Sequence, residues 1–167
     1  MTKIITIIAI VLSLLCTIGN KSFAARKQQA SDIKARSVSI NQKTGMVVYR
    51  GNVRIRIDNL IIRANQIAIR VEKGKTRFMI AKGSPLTIER LATETEKAFL
   101  VKAEKLEYRV NNKTMELSGN VSLHQDKNLI TCDYLLYDNN RERFVARSIG
   151  DRRVTATFFP EPESTDR

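Results

Sequence analysis

The sequence is short of the residues from which catalytic and metal centres are usually built. It has one histidine, His124, and two cysteines, Cys16 and Cys132. That supply does not make a typical structural zinc site, which takes four nitrogen or sulfur donors. His124 falls on the polar side of an alternating stretch beside Leu123, as a solvent-facing strand residue would. Glu94 and Glu96 sit in a run of polar residues and read as a solvated charge run. No glycine-rich phosphate loop, Gly-x-Ser-x-Gly element or aromatic-interleaved RNA-binding motif is present. The expectation is a protein without catalytic residues, metal or cofactor, and not an enzyme. Proline is scarce as well. Pro85, Pro160 and Pro162 are the three, so nothing interrupts long strands elsewhere.

No apolar run reaches the roughly 20 residues of a membrane-spanning helix. The longest, Ile4–Ile18, follows Lys3 and is broken by Gly19, Asn20 and Lys21. Ser22-Phe23-Ala24 then places small residues at the −3 and −1 positions. This is the layout of a secretory signal peptide over residues 1–24, with cleavage after Ala24. An uncleaved anchor is the alternative. A lipoprotein is disfavoured, because Leu15 is too bulky for the position before a lipidated cysteine. Cys16 leaves with the signal, so Cys132 has no internal disulfide partner. It is expected to be a small buried apolar residue, the alternative being an intermolecular disulfide.

Acidic residues are in deficit, 17 against 29 Lys and Arg in 167 residues. Removing residues 1–24 deletes Lys3 and Lys21 and no acid, which leaves 27 against 17, a net charge of +10. A basic exported protein suits an anionic partner, and outside the inner membrane phosphate-bearing lipids are abundant anions. The alternative is that the charge only keeps a β-rich surface soluble.

What the chain has in quantity is alternation. In Gly51–Ile57, Val53, Ile55 and Ile57 fall on one face and Asn52, Arg54 and Arg56 on the other, the period of a half-buried strand. Ile67–Val71, Leu106–Val110, Val121–Leu123 and Val154–Phe158 repeat the pattern. Turn residues separate the runs at Lys43-Thr44-Gly45, Lys73-Gly74-Lys75, Asn111-Asn112-Lys113 and Asp138-Asn139-Asn140. Leu91–Ala98 is too short for a stable helix and reads as a loop. The stretch 160–167 (PEPESTDR) has no apolar residues and is expected to be disordered.

The chain also repeats itself. Ala35-Arg36-Ser37-Val38-Ser39-Ile40, Ala64-Asn65-Gln66-Ile67-Ala68-Ile69, Ala103-Glu104-Lys105-Leu106-Glu107-Tyr108 and Cys132-Asp133-Tyr134-Leu135-Leu136-Tyr137 share one template. A small residue precedes two mostly polar ones and then apolar–variable–apolar. The starts lie 29, 39 and 29 residues apart, and the long interval holds Leu91–Ala98. Tyr49-Arg50-Gly51-Asn52-Val53 matches Leu117-Ser118-Gly119-Asn120-Val121 at an offset of 68. Gly83 and Gly150 stand at the comparable place in the other two units. Repeated units of this size bury their apolar faces by stacking. The expected fold is all-β: a twisted antiparallel β-jellyroll or β-roll over residues 25–159, built from repeated hairpin units. Its inside, between two walls, is apolar, with Arg and Lys outside. The Gly-Asn pairs are expected at turns or bulges. By alternation Val53, Ile55, Leu86, Ile88, Leu106 and Tyr108 face inward.

The ordered Gly-Asn-Val elements, with Ala-Asn-Gln-Ile-Ala-Ile and Ala-Glu-Lys-Leu-Glu-Tyr at the corners behind a signal, resemble the OstA-like family over about Ile33 to Phe159. The resemblance implies a V-shaped jellyroll in the periplasm that binds the lipid A part of lipopolysaccharide in its groove. It implies head-to-tail homo-oligomers that bridge an inner-membrane-anchored OstA-like partner and the N-terminal domain of the outer-membrane translocon. It places Ile33 near the groove entrance. Ile88, after Gly83-Ser84-Pro85, takes a lipid-facing position where the family often has an aromatic. Val154, Thr155, Ala156, Thr157 and Phe158 would form the edge strand that adds to the N-terminal edge of the next copy. The readings left beside this one are an inner-membrane-anchored paralogue and an exported binder of an anionic polymer. Nucleic acid is not an expected partner.

Overall fold

The computed structural model describes residues 31–159 apart from Glu142. The expected signal peptide and C-terminal tail lie outside those residues. The described chain forms ten strands: β1 (Ser31–Lys34), β2 (Ser37–Asn41), β3 (Met46–Ile57), β4 (Leu60–Glu72), β5 (Lys75–Arg90), β6 (Phe99–Arg109), β7 (Thr114–Gln125), β8 (Asn128–Asp138), β9 (Arg143–Arg147) and β10 (Thr155–Thr157). All pairings are antiparallel between neighbours in the order β1-β3-β4-β5-β6-β7-β8-β10, with β2 also on β3 and β9 also on β8. The turns expected from the sequence all fall between strands. Two more, Asp58-Asn59 and Asp126-Lys127, carry no glycine; Asp58 and Asp126 supply the positive φ instead.

One sheet becomes two walls because each long strand breaks register near its middle. The breaks lie at Arg50/Val53, Arg63/Gln66, Lys82/Leu86, Lys102/Lys105 and Ser118/Val121. A bulge bends its strand and increases the local twist. Bulges that line up across successive strands therefore crease the whole sheet. The two Gly-Asn pairs sit on this crease, with φ 78° and 48° at Gly51-Asn52 and 79° and 45° at Gly119-Asn120. A Cβ on Gly51 would come within 3.0 Å of the Arg36 side chain, and one on Gly119 within 2.7 Å of that of Glu104. Glycine is thus required for both the conformation and the fit. The offset of 68 is written in the backbone as well. Positive φ recurs at Gly45 and Lys113, Gly51 and Gly119, Asn52 and Asn120, and Asp58 and Asp126.

Three of the four small residues of the repeat template, Ala64, Ala103 and Cys132, are buried on the inside of the crease, and Ala35, at the N-terminal edge, is exposed. Burial raises the Cys132 thiol pKa, and no other free cysteine occurs among the described residues. Polar groups freed by the bulges find partners. The Ser84 amide donates to Asn65 Oδ1 at 3.3 Å, and Asn120 Nδ2 donates to Glu104 Oε1 at 2.7 Å. The Arg36 amide is shared between the carbonyls of Arg50 and Gly51 at 3.0 Å.

The terminal strands are split versions of interior ones. At the N-terminus, β1 and β2 lie on different walls and are joined across the crease by Ala35-Arg36. At the C-terminus, β9 and β10 do the same, joined by residues 148–154. That connection is tied down by Asp133, whose carboxylate accepts from the Ile149 amide at 2.7 Å and pairs with Arg152 at 2.9 Å. Strand β10 is shorter than the sequence suggested. Val154 and Phe158 lie outside it, and just beyond Phe158 the Phe159 amide turns to the Asn128 side chain at 2.8 Å.

Candidate lipid groove

The register of the ladders shows which side chains share a row between the walls. One inner row runs Ile33, Ile55, Ile62, Ile88, Val101, Leu123, Ile130, Ala156. On the facing wall, a row runs Val38, Tyr49, Ile67, Ala81, Leu106, Leu117, Leu135, Ala146. Beside it runs Ile40, Val47, Ile69, Met79, Tyr108, Met115, Tyr137, Phe144. Each row is apolar from one edge of the sheet to the other. The six positions assigned inward by alternation, Val53, Ile55, Leu86, Ile88, Leu106 and Tyr108, are all buried, and Arg54 and Arg56 are exposed.

The middle of the groove is filled by the protein's own side chains. Leu86 is 0% exposed and Leu106 2%. Residues of both walls belong to one core cluster, with Tyr49, Ile57, Phe99 and Leu123 packed against it at its margins. The rows open at their ends. Ile33 is 36% exposed and Ile40 64%, with Val38 beside them; at the other end Phe144, Ile149, Val154, Phe158 and Phe159 are exposed. Of the large exposed hydrophobics among the described residues, only Leu91 lies away from these two ends. Apolar surface concentrated in this way marks contact sites rather than chance exposure.

The outer faces are polar and partly self-neutralised. Arg109 pairs with Glu116 at 2.6 Å and with Glu107 at 2.8 Å. A hydrogen bond from Lys105 is the largest cause holding the Glu107 carboxyl below its usual range. Arg63 pairs with Glu89 at 2.7 Å, and Arg152 is the strut on buried Asp133. Register still lines up Lys34, Arg54, Arg63 and Lys102 in one outer row, interrupted by Thr87.

Two readings from the sequence need amending at the lip of the groove. Arg90 occupies an inward position, in register with Leu60 and Phe99, and is 3% exposed. Glu96 is not a free surface acid. It accepts from Asn59 Nδ2 at 2.8 Å, and its other oxygen lies 3.5 Å from Arg90 Nη1. Alternation put Arg90 on the inner face all along, two residues after Ile88. A cation is rarely buried unless it is paired, and Arg90 is paired by Glu96 and the Lys97 carbonyl.

A family model described as LptA/(LptD N-terminal domain) LPS transport protein matches residues 32–143. The chain belongs to this family. Over 135 residues it is 28% identical to the lipopolysaccharide export system protein LptA of Haemophilus influenzae, covering 79% of this chain and 78% of that one. The crystal structure of LptH, described as the LptA-homologous periplasmic component of the lipopolysaccharide transport device of Pseudomonas aeruginosa, superimposes with a TM-score of 0.66. It covers 80% of this chain and 98% of LptH, at 20% identity, and so shares the fold. The family match starts at β1 and ends at the first residue of β9. The C-terminal edge, where the exposed phenylalanines cluster, therefore falls outside it.

Proposed function

We propose that the chain is a periplasmic carrier that binds lipopolysaccharide by its acyl chains and hands it along from the inner toward the outer membrane. The observation that carries this reading is the set of inner rows, apolar from edge to edge and exposed at both ends. Each buried methylene is worth about 0.8 kcal/mol, so even partial cover of several acyl chains gives substantial binding. A groove already filled by its own side chains holds such a ligand by exchanging one apolar contact for another. Binding is then shallow, and the lipid can be passed on. The exposed row ends let the apolar surface continue into the next molecule. Head-to-tail copies supply that continuity, and the chain ends are the contacts proposed for an inner-membrane-anchored relative and an outer-membrane acceptor.

The test is photo-crosslinking in cells that export lipopolysaccharide. A benzophenone amino acid at Ile33 or Ile88 is expected to capture the lipid, and one at Arg54 or Arg56 is not. Equal labelling from both faces would sink the assignment. The outer row Lys34, Arg54, Arg63 and Lys102 supports a second reading, an exported binder of an anionic polymer. Such binding weakens steeply with salt because it releases counterions. Binding through acyl chains is expected to change little between about 50 and 200 mM salt, and a salt titration against lipid A and against a polyanion separates the two.

A further inference from the structure

Arg90 has no role in the reading above, and its environment is unusual. Among the described residues it is the one buried cation, and it projects from an inner face that is otherwise mainly apolar. Its Nε donates to the carbonyl of Lys97 at 2.9 Å, Nη2 reaches the same oxygen, and the guanidinium stands 4.8 Å over the Phe99 ring. Nη1 is buried and makes no hydrogen bond; the Glu96 carboxylate lies 3.5 Å from it. A buried guanidinium donor left without a hydrogen bond is costly, and a bound anion is one way to match it.

The polar groups that meet Arg90 come from one segment. Lys97 and Glu96 belong to the loop 91–98, the stretch that lengthens the repeat interval from 29 to 39 residues. The loop is fastened at few points. The Leu91 amide donates to the Asn59 carbonyl at 2.9 Å, and Asn59 Nδ2 donates to the Leu91 carbonyl and to Glu96. Lys97 also pairs with Asp126 at 3.3 Å, and within the loop the Thr93 amide donates to the Glu96 carbonyl and the Glu96 amide to Thr93 Oγ1. Displacing Glu96 and Lys97 would turn the full donor edge of a guanidinium, already desolvated and braced by an aromatic ring, toward the mouth of the groove.

We propose that Arg90 is an anion-capture site at the groove lip, taking a phosphate of a lipid whose acyl chains lie between the walls, with Glu96 as the internal anion that the phosphate displaces. The proposal rests on the lipid-carrier reading and adds to it a headgroup contact. A guanidinium fork suits a phosphate, and a charge-assisted bond in a dry site is strong. Burial acts to lower the pKa of Arg90 and the Glu96 carboxylate to raise it, so a second anion arriving close by would also favour the charged form.

The experiment measures equilibrium binding of the mature protein to lipid A carrying its phosphates, and to the same lipid with the phosphates removed, in mixed detergent micelles. Arg90→Gln is expected to weaken the phosphorylated lipid about tenfold and to leave the phosphate-free lipid within about twofold. Glu96→Gln removes the competing charge and is expected to tighten the phosphorylated lipid about threefold and the other not at all. Should Arg90→Gln fail to fold by circular dichroism, Glu96→Gln decides alone. Equal loss for both lipids, or no loss for either, overturns the site and makes Arg90 a fastening for the loop. Inorganic phosphate at about 50 mM is expected to compete less than twofold. If it erases the difference between the two lipids, the site takes free phosphate and the lipid assignment falls. If the wild-type protein binds neither lipid, the carrier reading fails together with this one, an outcome distinct from a site that does not discriminate.

Discussion

Cysteines placed at Ile40 and Phe144 should join one copy of the protein to the next under mild oxidation. A ladder of covalent oligomers on a denaturing gel would show it. The expectation comes from the molecule's own internal junction. At the offset of 68, Ile40 corresponds to Tyr108, Val38 to Leu106 and Ile33 to Val101, so β1 and β2 together are the counterpart of β6. Register gives the matching relation at the other end. Met79 and Phe144 hold equivalent places beside Ile69 and Tyr137, and Ile88 and Ala156 do so beside Ile62 and Ile130. Inside the chain, β5 and β6 pair Met79 with Tyr108 and Ile88 with Val101. Two copies that reuse this pairing bring Phe144 against Ile40 and Ala156 against Ile33. Edges with unpaired backbone and exposed apolar side chains invite such addition, and a heterologous contact of this kind grows as a line instead of closing. Moving the second cysteine to Val145, whose side chain lies on the opposite face, should abolish the ladder. Ile40→Asp combined with Phe144→Asp should weaken self-association by about a hundredfold or more, the scale of losing two anchor residues. Both residues are exposed, so thermal unfolding of the monomer should hardly move. Normal oligomers from the double variant would place the interface elsewhere. Thr155→Pro, which removes a backbone donor from β10, should likewise reduce oligomers without unfolding the core, and normal assembly would place the interface away from β10.

Leu106→Ala is expected to destabilise the fold by about 3 kcal/mol, within the range for large-to-small changes at sites that cannot collapse. Leu106 is 2% exposed and lies in the inner row between Ala81 and Leu117. One neighbour in the row is already an alanine, so little side chain is at hand to fill the space. Urea unfolding should show a lower midpoint with an unchanged slope. Arg54→Ala, on the other face of the same fold, should stay within about 0.5 kcal/mol. A Leu106→Ala protein as stable as the parent would mean that the walls are not packed on each other in solution. The groove would then be open before any lipid arrives.

The faces of the walls were legible in the sequence because a strand alternates with a fixed period. Once Val53 and Ile55 are inward, Arg54 and Arg56 have no other place to go. The crease was legible in part. Gly-Asn recurs where a positive φ is needed, but the Ser84-Pro85 stretch and Ala103-Glu104 reach the same crease with other residues. The two further turns, Asp58-Asn59 and Asp126-Lys127, had neither a glycine nor a cluster of turn residues to mark them. The short extent of β10 was hidden too. Just past it the Phe159 amide bonds to the side chain of Asn128, 31 positions away, and no local propensity reports that.

The sequence by itself determined that the chain is all-β and duplicated, which residues face inward, and that the two edges are apolar. These are matters of period and composition, and they are settled residue by residue. Only the tertiary structure decided that the creases align into a single hinge line and that the middle of the groove is closed. Only there does Arg90 become a buried cation under the loop 91–98, and Arg152 a strut on Asp133. Each of these depends on which distant side chain arrives at a given point. Burial and pairing are properties of that arrival, and a linear pattern does not contain it.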